Sequence, residues 1–418
     1  MTATDIHRTI EAVWRIESSR VIAGLTRIVR DLELAEDLAY DALVAALEQW
    51  PETQIPCNPG AWLMAAAKHR ATDYFRRKSL LGRKHDELGR EMEAKEMEIP
   101  DLDAALDDFV GDDLLRLLFI ACHPVLSTEA QVALTLRLLG GLTTQEIARA
   151  FLVPEATVAQ RIVRSKRTLA EKRVPFEVPR GNDLTNRLSS VLAVIYLIFN
   201  EGYSATTGDD WMRPALCEEA LRLGRVLAEL APSEPEVHGL VALMEIQASR
   251  TRARVGPGGE PVLLPDQNRA LWDQLLIRRG LAALRRAHEL RAPRGLYLLQ
   301  AEIAACHAQT RTTEETDWQR IVILYGELEQ LLPSPVVKLN RAVAVGIAFG
   351  PAHGLALLQE LAEEGALKNY HLLPSVRGDL LKKLGRLNEA RQEFEKAASV
   401  TRNERERELL LRRAQECS

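Results

Sequence analysis

Residues Gly141 to Arg173 read GLTTQEIARAFLVPEATVAQRIVRSKRTLAEKR, and the fold turns on how this stretch is read. Thr143 followed three residues later by Glu146 predicts a capping box, in which hydroxyl and carboxylate each satisfy a backbone N–H left over at a helix start. Ile147, Ala148 and Phe151 give the short helix that follows one apolar stripe. Leu152-Val153 makes a tight break, and Pro154 suits the first turn of a second helix, where its missing N–H has no partner anyway. Val158, Ile162 and Leu169 can then face inward, leaving Gln160, Arg161, Arg164, Lys166, Arg167 and Lys172 outside. Two short helices with a tight turn, the second basic, are the pattern that lays a recognition helix in a DNA major groove. Taken alone, the stretch also fits an ordinary helical hairpin with solvated charges.

Upstream, DDLLRLLFIACHPVL and STEAQVALTLRLL predict two more helices, the second with a capped start at Ser127-Thr128-Glu129. Together they make a four-helix DNA-binding domain over residues 112–175. A first helical block occupies residues 1–84. Val13, Ile16, Val21, Ile22, Leu25, Ile28 and Val29 recur at helical intervals. The run from Asp31 to Asp37 opens a second helix with acids in its first turns, where the helix dipole favours them. That helix continues through Leu38, Leu43, Val44 and Leu47 to a stop at Trp50-Pro51. The third, NPGAWLMAAAKHRATDYFRRKS, offers Trp62, Leu63, Ala66 and Tyr74 to a core. Its Lys68, Arg70, Arg76, Arg77 and Lys78 make a cationic surface with aromatics beside it, suited to phosphates and unpaired bases, or else a merely solvated basic face. Between the two modules the composition inverts: residues 85–111 are rich in Asp and Glu and broken by Gly89, Pro100 and Gly111. This predicts an acidic tether. A flexible spacer or a mimic of nucleic acid both fit it.

The bulk composition sets limits. At 418 residues there is room for about three domains. Few aromatics and abundant Ala, Leu, Glu and Arg favour helix over strand, so the expected class is all-α. No window reads as a signal peptide or a membrane span. The most apolar run, Val191 to Phe199, is too short, so a cytoplasmic chain without a membrane partner is expected. Cys57, Cys122, Cys217, Cys306 and Cys417 are scattered without metal-ligand spacing, which predicts reduced, structural thiols and no metal. The net charge of −5 excludes a wholly basic coat and leaves only local basic surfaces for nucleic acid.

The order of these pieces resembles the extracytoplasmic-function group of bacterial sigma factors. DLELAEDLAYDAL is similar to the acidic helix of the first sigma domain, and NPGAWLMAAAKHRATDYFRRK to its promoter-melting segment. LTTQEIARAFLVPEATVAQRIVRSKRTL is similar to the −35-reading motif of the second domain. The resemblance implies binding of core RNA polymerase through Leu34, Asp37, Leu38 and Asp41. It implies opening and reading of the −10 element of promoter DNA by Trp62, Lys68, His69, Arg70, Arg76 and Arg77. Reading of the −35 element would fall to Thr157, Gln160, Arg161 and Arg164, with Lys166 and Arg167 on phosphates. Two positions depart from the family: His69 stands where Asn is usual. Ala159 stands where Arg or Lys is common, which shifts base reading to its neighbours.

Residues 182–418 are read separately. VLAVIYLIFNEGYSATTGDDWMR, TDWQRIVILYGELEQLLPSPVVKLNRAVAV and YHLLPSVRGDLLKKLGRLNEARQEFEKA resemble the C-terminal extension of one sigma subgroup. In that subgroup the extension is tetratricopeptide-like, and a dedicated membrane anti-sigma factor is not expected. Periodicity points the same way, since tetratricopeptide units run about 34 residues with small and large positions on packed helix pairs. Gly378, Leu381, Ala390, Phe394 and Ala397 fit one unit; Ala342, Val345, Gly354, Leu358 and Leu361 fit another. Ala220, Gly224, Leu227 and Pro232 fit a third, with a helix following at Val237, while Gly256 to Gln267 is an irregular insertion. Stacked pairs present a concave surface for a peptide or partner helix, or serve only as a packing platform. Asn200-Glu201-Gly202-Tyr203 and Thr316-Asp317-Trp318 read as caps and turns, and no catalytic constellation or phosphate loop stands out. The expectation is a sigma factor without catalytic residues or cofactor. Its rivals are a repeat-domain signalling adaptor and a helix-turn-helix regulator that does not replace a sigma subunit.

Overall fold

The computed structural model describes residues 3–86, 110–151, 153–179, 182–204, 212–256, 260–363, 367, 370–401 and 403–417. The acidic segment at 85–111 lies almost wholly outside them, as do Leu152 and part of the 256–267 insertion. Among the described residues the regular structure is helical, apart from isolated bridge positions such as the pairing of Val255 with Pro261. The chain divides into two compact units, 1–194 and 195–418.

The first unit begins with α1 (Ala3–Val29), α2 (Leu32–Thr53) and α3 (Pro59–Asp86). Arg30 ends α1 by adopting a φ of 54°, and Asp31 at once caps α2, accepting from the N–H groups of Glu33 and Leu34. The three helices close over Ile10, Val21, Ile22, Leu25, Leu38, Trp50 and Leu63. Ala35, Ala39, Ala42, Ala67 and Ala71 are also fully enclosed, and their small side chains let helices approach closely. Two expectations shift here. Helix α2 does not stop at Pro51 but continues to Thr53, because Pro51 sits in the last turn, where one missing N–H costs little; Gln54 at φ 73° then ends the helix. Tyr74 and Ile16 lie outside the core, which Ala67 and Ala71 fill instead.

The second module comprises α4 (Val110–Ala121), α5 (Thr128–Leu138), α6 (Thr144–Phe151) and α7 (Glu155–Glu171). Thr143 N–H donates to Glu146 Oε2 at 2.8 Å and Glu146 N–H to Thr143 Oγ1 at 3.1 Å, the reciprocal pair of a capping box. Val158, Ile162 and Leu169 are buried, with Ser165 beside them. Gly141, at φ 64°, turns the chain into the motif where a Cβ would meet the Arg15 carbonyl and the Ser18 hydroxyl at 3.4 Å. Helix α1 therefore touches the second module, and it packs along α4 and α5.

Helix α8 (Asn182–Tyr203) crosses the boundary between the units at residue 194. In the first unit its Arg187 lies over the Phe119 ring and donates to the Phe119 carbonyl at 2.8 Å. The second unit continues with α9 (Pro214–Leu230), α10 (Pro235–Ala248), α11 (Gln274–Glu289), α12 (Leu296–Ala308), α13 (Trp318–Leu331), α14 (Pro335–Ala348), α15 (Pro351–Glu363), α16 (Leu372–Lys383), α17 (Leu387–Val400) and α18 (Glu404–Gln415). Most of these helices pack chiefly on their neighbours in sequence, α12 lying mainly on α10, and apolar clusters succeed one another along the chain. A core distributed this way belongs to a stack of helix pairs rather than to one globule. Phe394 is fully buried against Gly378, where a Cβ would come within 2.7 Å of its ring. Glu236 of α10 caps α12 from outside the helix, accepting from the N–H groups of Tyr297 and Leu298 at 2.8 and 3.2 Å.

Phe394→Ala empties the space over Gly378 and is expected to destabilise α16–α18 by about 3–5 kcal/mol. Native-state hydrogen exchange of their amides reads this locally; a loss below about 1 kcal/mol would contradict the packing described.

Candidate polymerase and DNA interfaces

Helix α2 has two faces. Leu38 is buried and Leu34 half-buried, so both anchor the helix rather than project from it. Glu33, Asp37, Asp41 and Glu48 are exposed along the other side, with Val44 and Leu47 also open. Carboxylates flanking two exposed aliphatic side chains form a surface suited to a basic partner with an apolar centre.

Helix α3 divides the expected −10 residues. His69, Arg70, Arg76 and Arg77 are exposed, and His69 Nδ1 lies 3.4 Å from Asp73 one turn on. Tyr74 is partly open, edge-on to Phe75, with the Lys78 ammonium 6.0 Å from its ring centre. Lys68 is buried and does not belong to that cationic surface. Trp62 is half-buried, edge-on to Trp50 at 5.2 Å, so most of it supports the helix from beneath.

Helix α7 brings four expected base readers together. Thr157, Gln160, Arg161 and Arg164 line one groove of about 340 Å³, closed on its other side by Val125, Leu126, Ser127 and Ala130. Thr157, Gln160 and Arg164 are exposed, while Arg161 is half-buried. Arg167 is exposed and pairs with Glu171 at 2.7 Å. Lys166 points elsewhere: its ammonium lies 2.5 Å from Glu36 Oε2, on α2 of the first module.

Sequence reading missed the group that receives it. Glu36 is only 4% exposed, which a lone carboxylate would not tolerate. Its other oxygen is 3.1 Å from Arg137 Nε of α5. Arg137 also donates to the Leu142 carbonyl and lies over the Tyr40 ring at 5.2 Å. Burial pushes the Tyr40 hydroxyl upward. Around this centre Arg27 reaches the buried Asp113 at 3.0 Å, and Arg15 reaches Glu146 at 3.0 Å. A signal existed: Glu36, Ala39, Tyr40 and Leu43 recur at helical spacing, placing an acid among residues that face inward.

The second unit carries a cavity of about 640 Å³ lined by Arg294, Glu302, Cys306, Asp317 and Arg320 among others. Glu302 is nearly buried there, with Arg294 at 3.1 Å, Arg320 at 3.2 Å and His288 at 3.5 Å. Asp317 caps α13, accepting from Arg320 N–H, and Glu201 pairs with Arg213. The cysteines are unpaired, and burial pushes the Cys122 and Cys217 thiols up to about 12. Among the described residues no His, Cys, Asp and Glu converge to hold a metal, and no helix is long and apolar enough to cross a membrane.

Comparison with known proteins assigns the two modules. Residues 15–80 match the Sigma-70 region 2 model and residues 116–169 the Sigma-70 region 4 model. Residues 187–288 match a family of unknown function, DUF6596. The chain is 44% identical over 386 residues to the uncharacterized protein R00370 of Rhizobium meliloti (strain 1021), covering 92% of this chain and 90% of that one. No solved structure matches.

Thr143→Ala removes half of the capping box and is expected to cost α6 about 1 kcal/mol, read by hydrogen exchange at its first amides. Burial works against the Glu146 charge, but the Thr143 bonds and Arg15 prevail and hold its carboxyl below the ordinary value. Its stabilisation is therefore complete above that ordinary value and disappears as pH falls through the folded one. A Glu146→Gln chain should lose stability less steeply in acid; an identical acid limb would contradict this.

Proposed function

Since the chain belongs to the sigma-70 family, joining regions 2 and 4 to a helical C-terminal extension, we propose that it is an extracytoplasmic-function-type sigma factor working in the cytoplasm. It binds core RNA polymerase and directs initiation at its own class of promoter. The observation that carries this reading is the succession of both sigma regions in one chain, each with a chemically suitable face left open. The acidic and aliphatic stripe of α2, centred on Asp37 and Asp41 over the anchors Leu34 and Leu38, suits a basic polymerase surface. The exposed His69, Arg70, Arg76 and Arg77, backed by Trp62 and with Tyr74 beside them, suit the melted −10 strand. The α7 groove suits base edges in the −35 major groove. Bond making and breaking belong to the polymerase, so this chain contributes no catalytic group or cofactor.

The C-terminal unit is read as a tetratricopeptide-like stack that regulates the sigma modules by contact with them or with another protein. Its sequential packing and its charged cavity support a protein or peptide partner.

The deciding experiment mixes purified chain, core polymerase and a candidate promoter. A sigma factor starts specific transcription with no other specificity subunit; a helix-turn-helix regulator or a repeat adaptor only shifts the output of a preformed holoenzyme. Arg161→Ala is expected to weaken −35 binding by about 1–3 kcal/mol and to relax selectivity at one base position; unchanged selectivity would remove Arg161 from the readers. Truncation after Val178 is expected to change transcription markedly, and full activity in the truncated chain would overturn a regulatory role for the extension.

A further inference from the structure

We propose that the cavity between α11, α12 and α13 is a receptor for a guanidinium or ammonium group carried on an aliphatic stem, with Glu302 as the carboxylate that receives it. The inference deepens the regulatory reading of the C-terminal unit, on which it rests, by naming the class of ligand that unit takes.

The buried carboxylate sets the chemistry. Glu302 of α12 is only 8% exposed, so both of its oxygens need donors. Oε2 has two, accepting from Arg294 at 3.1 Å and from Arg320 at 3.2 Å. Oε1 is buried and accepts no hydrogen bond. The His288 imidazole of α11 stands 3.5 Å from it, beyond ordinary hydrogen-bond length, and is charged only when protonated. Its side chain is half-exposed and free to turn aside for a better donor. A buried acceptor left open costs free energy, which an incoming N–H recovers.

The sign of the ligand follows from the rest of the lining. Glu302, Glu315 and Asp317 bring three carboxylates to the cavity against the guanidiniums of Arg294 and Arg320. Both guanidiniums are already engaged: each holds Glu302, and the second nitrogen of Arg294 lies 2.5 Å from Glu327. Behind Thr310, Arg269 is spent on the His307 and Thr310 carbonyls. Burial pushes the Cys306 thiol upward, so it adds no negative charge. An anion would meet a surplus of its own sign, whereas a cation completes the set.

Size and walls narrow the class further. A volume of about 640 Å³ falls within the range of small-ligand sites, about 300–1,000 Å³. Leu284, Ala305 and Leu324 give methylene groups an apolar wall. Guanidinium is the better fit of the two head groups, because it is more weakly hydrated than ammonium and gives up less on burial. A free alkylguanidine and the arginine side chain of a peptide present the same group to Glu302.

Isothermal titration of the full chain tests this without polymerase, so a failure here leaves the sigma-factor reading standing. The probes are n-butylguanidine, its uncharged isostere n-butylurea, the anion pentanoate, and acetyl-Gly-Arg-Gly-amide. n-Butylguanidine is expected to bind with a dissociation constant of about 1 mM or tighter, and n-butylurea and pentanoate at least about tenfold more weakly. Tighter binding of the peptide names a protein side chain as the source; weaker binding names a free molecule. Glu302→Gln is expected to weaken n-butylguanidine at least about tenfold. Glu315→Lys, at an exposed position on the rim, is expected to weaken it severalfold by reversing one charge. Circular dichroism checks that Glu302→Gln folds; where it does not, Glu315→Lys decides alone. The proposal is overturned by an absence of binding heat from n-butylguanidine and the peptide at about 10 mM. It is equally overturned by n-butylurea or pentanoate binding as tightly, or by a constant that ignores the folded variants.

Discussion

A carboxylate buried at 4% exposure needs cations, and at Glu36 both come from a different module of the chain. Removing one partner from such a cluster leaves a charge stranded, at a cost of about 3–5 kcal/mol, whereas separating the whole cluster into water costs far less. Glu36 thus specifies how the two modules meet. Arg137 reinforces this by serving three acceptors at once: the carboxylate, the Leu142 carbonyl before the helix-turn-helix, and the Tyr40 ring. The entry to the reading motif is thereby coupled to the helix proposed to meet polymerase.

The surfaces left open follow from the same division of labour. On α2 the inward face carries alanines, Leu38 and Glu36, and the outward face carries Asp37, Asp41, Val44 and Leu47. On α7 the buried Val158, Ile162, Ser165 and Leu169 hold the helix against its module and turn Thr157, Gln160 and Arg164 outward. Lys166 faces across the junction to Glu36.

Local chemistry made much of this legible. The capping box at Thr143 and Glu146, the inward Val158, Ile162 and Leu169, the cap at Ser127 and the packing positions Gly378 and Phe394 all appear where spacing placed them, because each rests on a local pattern. What escaped is long-range. No local pattern says that Lys166 abandons the outer surface for Glu36, 130 residues earlier, or that Lys68 turns into its module while Tyr74 turns out. The Arg294 and Arg320 pairing with Glu302 was hidden for the same reason, since its partners lie on successive segments of a stack. An acid on an inward face was the one sequence clue to Glu36, and it names the need for a cation without naming which one.

The separation of the two modules is open to direct measurement. Distance labels at the exposed Glu11 of α1 and Lys172 beyond α7, followed by pulsed electron resonance, report the junction without touching it. The account predicts one short distance in the free chain and a longer or broader one in the Glu36→Gln variant, which deprives Arg137 and Lys166 of their shared carboxylate. The same distance in both chains, or a long one from the outset, would contradict it.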